Sequence, residues 1–89
     1  MKGTICIIYR SSRETELYLY IDKNIGLDKV PEDLLTRMGN MSEVMTLLIT
    51  PEKKLARVKS VQVLEDIKEK GYFLQLPPTF NPQVFTYGE

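Results

Sequence analysis

The side chains best equipped for chemistry in this sequence are cations and hydroxyls gathered in two short runs. Arg10, Ser11, Ser12 and Arg13 place two guanidinium forks beside two hydroxyls. An arginine fork binds carboxylate or phosphate through two parallel hydrogen bonds, and serine adds neutral ones, so this run is a candidate anion site. The same residues would also serve as a plain hairpin loop, with the serines bonded to their own backbone and Arg10 paired to Glu14 or Glu16. Lys53, Lys54, Arg57 and Lys59 put four cations in seven positions with no acid among them. Such a patch suits RNA or phosphate, and equally suits a solvated edge strand that lysines keep from pairing. Tyr18, Tyr20, Tyr72 and Phe73 could stack on bases or, as is more common, fill the core beside a sheet.

Other chemistries lack their parts. The chain has no histidine, which removes the usual general base and every Ser-His-Asp or Cys-His arrangement. Its glycines, Gly3, Gly26, Gly39, Gly71 and Gly88, are scattered, so neither a phosphate-cradling loop nor a dinucleotide fingerprint is present. Glu32 and Asp33 are adjacent and would point about 100° apart on a helix, poor geometry for a shared metal or proton. Cys6 is the only cysteine. With no cation beside it in sequence, it reads as a small buried hydrophobe rather than a nucleophile. No catalytic residue, metal ligand or cofactor is expected.

The elements that must carry these residues follow from their apolar patterns. Ile5-Cys6-Ile7-Ile8-Tyr9 and Leu17-Tyr18-Leu19-Tyr20-Ile21 are β-branched and aromatic runs joined by a short polar segment, which predicts an antiparallel hairpin. Neither run alternates apolar with polar, so both faces of the sheet should be covered. Pro31 suits the first position of a helix opened by Glu32 and Asp33, carried by Leu34, Leu35 and Met38, and ended by Gly39 in a left-handed conformation. Residues 43–50 read as a third strand, and Lys54-Leu55-Ala56 as a short edge strand. A second helix spans about residues 60–70, with Val63, Leu64 and Ile67 on one face and Gly71 as its cap. Tyr72-Phe73-Leu74-Gln75-Leu76 is the fourth strand, stopped by Pro77-Pro78. The predicted fold is α/β: an α/β/α sandwich with a mixed or antiparallel sheet of about four strands. If the first and fourth strands run parallel, Gln75 and Pro77 border the same crevice as Arg10, because open α/β sheets bind ligands beyond the carboxyl ends of their strands.

At 89 residues the chain accommodates one core, expected over residues 1–78, with residues 79–89 as a proline-containing extension. Twelve basic residues balance 12 acidic ones, so a nucleic-acid role would need a local patch rather than bulk charge. No apolar run approaches the ~20 residues that span a bilayer, and the N-terminal run is too short for a signal peptide. The cytoplasm is the expected location.

Several of these segments occur together in a known family. Cys6-Ile7-Ile8-Tyr9-Arg10-Ser11-Ser12, Leu17-Tyr18-Leu19-Tyr20, Val30-Pro31-Glu32-Asp33-Leu34, Lys53-Lys54-Leu55-Ala56 and Gly71-Tyr72-Phe73-Leu74-Gln75-Leu76-Pro77-Pro78 resemble the YcgL family of small bacterial proteins, in the same order. The resemblance implies an α/β/α sandwich and brings no activity with it. Where relatives usually have Asp before the second helix, this chain has Lys59, which cannot accept the cap hydrogen bonds, so Ser60 is expected to cap instead. The functional expectation is a non-enzymatic binding or regulatory module for a protein partner or an anionic ligand, through Arg10, Ser11, Ser12, Arg13 and Gln75. The alternative is an RNA-associated accessory factor using Lys53, Lys54, Arg57 and Lys59.

Overall fold

The computed structural model describes residues 3–55 and 57–77; the expected extension lies outside them. The elements are β1 (Thr4–Arg10), β2 (Tyr18–Asp22), α1 (Glu32–Met38), β3 (Ser42–Ile49), α2 (Ser60–Lys70) and β4 (Tyr72–Gln75). They form an α/β fold whose four-stranded sheet has the order β3-β1-β2-β4. Every neighbouring pair is antiparallel, and β1 and β2 form the expected hairpin.

The unbroken apolar runs of β1 and β2 serve two clusters at once. Cys6, Ile8, Tyr20 and Phe73 pack with Val63, Leu64 and Ile67 of α2. Leu17, Leu19, Ile21, Val30 and Met38 form the second cluster, joined by Ile7, Tyr9, Leu34, Leu35 and Leu74. Successive strand residues point to opposite sides of a sheet, so alternate positions divide between the clusters. α2 feeds the first and α1 the second. Cover is uneven at the β3 edge, where the register partners Ile5 and Leu48 are 47% and 53% exposed.

Both helices end on glycine, for different reasons. Gly71 adopts φ 93° and ψ 2°, the expected left-handed cap, and its N–H donates to the Ile67 carbonyl. Gly39 also has positive φ, 71°, but its ψ of −144° is not left-handed helical. There the 11–17 loop docks on the helix end: the Ser12 N–H donates to the Met38 carbonyl. The stem of Arg13 occupies the space a Cβ at Gly39 would need.

Two local expectations are corrected. Of Lys54-Leu55-Ala56, Lys54 makes an isolated bridge to Lys59, Leu55 lies in no strand, and Ala56 lies outside the described residues. Ser60 does not cap α2, because Lys59 holds the cap position and makes no side-chain cap bond. The Ser60 hydroxyl instead donates to the Lys53 carbonyl and ties the 50s loop to the helix.

Candidate functional site

β1 and β4 each run antiparallel to β2 and so run parallel to each other, the condition for Arg10 and Gln75 to share one end of the sheet. Arg10 pairs with Tyr18, and Tyr18 with Gln75, so the three form one row with Tyr18 between the others.

The predicted anion loop divides in use. Ser11 is buried; its hydroxyl donates to the Met38 carbonyl at 2.7 Å and accepts from the Arg13 and Glu14 N–H groups at 3.0 and 3.1 Å. One donor and two lone pairs are all a hydroxyl has, so Ser11 fixes the loop on α1 and has nothing left for an anion. Arg13 reaches the Thr36 carbonyl at 3.4 Å. Glu14 takes a two-pronged pair from Arg37, at 2.6 and 3.2 Å. That hydrogen bond holds the Glu14 carboxyl below its ordinary range and raises Arg37. Glu16 bonds Arg57 at 3.0 Å. Neither carboxylate pairs with Arg10, which stays exposed with Ser12 beside it.

Arg57 stands apart from the three lysines of its run. It leaves the lysine patch and reaches over the end of the sheet, its guanidinium carbon 6.0 Å from the Tyr18 ring centre. The hydrogen-bond network fixes the Gln75 amide: its NH2 donates to the Tyr20 hydroxyl at 2.6 Å, and its carbonyl accepts from Arg57 Nε and Nη2 at 3.2 and 2.6 Å. Gln75 is buried, so this pairing satisfies an amide that would otherwise be costly there. Burial also raises the Tyr20 phenol above its ordinary value, against a smaller lowering by Arg57, so it remains a neutral donor at physiological pH.

These groups form the polar side of a cavity of about 230 Å³. Ile8, Met45, Leu47 and Leu55 form its apolar side. Apolar walls with a few convergent polar groups are the usual makeup of a binding site. The remaining cations, Lys53, Lys54 and Lys59, line a separate shallow hollow with Pro51 and Val61. Lys54 and Lys59 oppose each other across their bridge, a like-charge arrangement that costs stability. Aromatic spacing could have flagged Tyr18 and Tyr20 as cavity residues, but nothing local in the sequence joins Arg57 to Gln75.

Cys6 lies fully buried in the first cluster, its thiol donating to the Thr4 carbonyl. Burial, with a smaller contribution from Asp22, pushes it up to about 11. It is a thiol at neutral pH, as the apolar reading expected.

The model of the YcgL domain matches residues 6–78. A YcgL domain-containing protein of Cellvibrio japonicus is 53% identical over 74 residues, which cover 83% of this chain and 76% of the relative. One from Pseudomonas aeruginosa is 49% identical over the same shares. One from Saccharophagus degradans is 45% identical over 71 residues, 80% of this chain and 78% of its own length.

Proposed function

The chain belongs to the YcgL domain family, and from that premise we propose that it is a cytoplasmic, non-enzymatic binding module that takes an extended segment of a partner protein as an added strand on β3. One observation carries this reading. β3 stands at the edge of the sheet, and Met45 and Leu48, which alternate to opposite faces, are 48% and 53% exposed. A partner docking on one face would cover only one of them, whereas a strand paired at the edge covers both. Edge strands are normally blunted by lysine, proline or charge, and between Met45 and Ile49 this one has none of these. Main-chain bonds along such an edge supply affinity, and a pocket for alternate side chains supplies selectivity. The cavity floored by Met45 and Leu47 is that pocket.

The fold that presents this edge is, on our reading, an α/β/α sandwich. The division of alternate strand residues between the α2 cluster and the α1 cluster supports it. The RNA-associated alternative is weaker, because Arg57 lines a separate cavity and only three lysines of the patch remain together.

Selection of displayed nonapeptides on the immobilised full chain tests the proposal. Enriched peptides should alternate apolar residues and protect amides of β3 from hydrogen exchange. Met45→Lys and Leu48→Lys should each weaken their binding at least tenfold, while stability changes by about 0.5 kcal/mol or less, as for ordinary surface changes. Sensitivity to only one substitution would replace strand addition with face docking. Concentration-dependent self-association that protects the same amides would make the occupant a second copy and overturn the partner reading.

A further inference from the structure

The polar side of the cavity is one-sided in its chemistry. A guanidinium carries five N–H donors. Those of Arg57 make three bonds, two to Gln75 and one to Glu16, so two remain. The Gln75 carbonyl is filled by Arg57, and its NH2 is directed at Tyr20. The Tyr20 hydroxyl accepts that bond, and its own proton has no acceptor among the described residues, although the residue is only 6% exposed. Every unspent group that Tyr20, Gln75 and Arg57 offer is therefore a donor. A buried donor without a partner carries a desolvation cost that a matching acceptor removes. Charge adds a preference, since a cation bonds an anionic acceptor more strongly than a neutral one.

We infer that this cavity reads a carboxylate, and that the ligand it takes is a small aliphatic acid. The acid's apolar stem would lie against Ile8, Met45 and Leu47, and its oxygens would meet Tyr20 Oη and Arg57. This goes beyond the strand-addition reading and does not rest on it: in the order β3-β1-β2-β4, Tyr20 and Gln75 lie two and three strands inward of β3, roughly 10 Å or more from that edge and out of reach of a side chain on a strand added there. Gln75 and Glu16 are positioning residues: they hold the Arg57 fork so that its free N–H groups need not be ordered when ligand arrives.

Butyrate, butyramide and butylamine share one stem and differ in the head group. Titrated into the ¹⁵N-labelled full chain, butyrate should move the Tyr20, Arg57 and Gln75 amides saturably, and butylamine should leave them in place. Arg57→Met should weaken butyrate about tenfold or more, the scale of a charged hydrogen bond, and Tyr20→Phe about two- to tenfold, that of a neutral one. Equal responses to the three probes, or none to butyrate, would overturn the inference.

Discussion

At the scale of single residues, burial decides what each reactive group can do. Cys6 would be a nucleophile only as a thiolate, and its place between the strands and α2 makes that form costly. The shift from its ordinary 9.0 to about 11 has a stability consequence. Between those values the unfolded chain releases the thiol proton and the folded chain keeps it. Stability from this group is therefore complete below pH 9 and falls as pH rises toward 11. Two units correspond to about 2–3 kcal/mol. Denaturant unfolding at pH 8 and pH 10.5 should show the decline in the parent chain and a smaller one in Cys6→Ala. An equal decline in both would mean that other groups, such as Tyr20, account for it. Ser11 teaches the same lesson for a hydroxyl, whose bonding capacity went to closing a loop.

At the scale of elements, helix ends show local chemistry agreeing with the fold. Gly71 sits at φ 93°, where a side chain is strained, and a Cβ there would also strike the stem of Lys29. Gly71→Ala should cost at least about 1 kcal/mol in chemical denaturation. A cost below about 0.3 kcal/mol, well inside the range of an ordinary surface change, would show that the backbone relaxes there. The start of α2 is less orthodox. Lys59 stands at the positive end of the helix dipole, where an acid or hydroxyl is favoured, and Ser60 is spent on holding the 50s loop. That loop carries Arg57, so the tie that leaves the helix uncapped also helps set one wall of the cavity.

At the scale of the whole molecule, a four-stranded sheet supports two apolar clusters, and β3, at the sheet's edge, enters only the first, through Ile49 and Leu47. Leu19 is fully buried in the second cluster and Leu48 is half exposed on the edge, although both are leucines in strands. Leu19→Ala should cost about 2–5 kcal/mol through its cavity, and Leu48→Ala about 0.5 kcal/mol or less. Comparable values from denaturant titration would mean that the edge is already covered in solution. That difference is the energetic form of the functional proposal: Ile49 anchors β3 in the first cluster, while the exposed Leu48 contributes little to the isolated fold and is kept for a partner.

The sequence by itself determined the elements and the character of their faces. β-branched and aromatic runs gave β1 and β2, and Pro31 and the two glycines bounded the helices. These are local signals, set by dihedral preference and by the period of burial, and they survive without knowledge of neighbours. Only the tertiary structure decided which residues meet. Arg57 and Glu16, 41 positions apart, and Gln75 come together because β4 pairs with β2 and the 50s loop folds over their ends. The apolar run of β3 reads like an interior strand, yet its exposure follows from its place in the order β3-β1-β2-β4. Periodicity encodes whether a side chain seeks cover. It cannot encode which strand stands last, because that depends on long-range pairings whose energies no single segment carries.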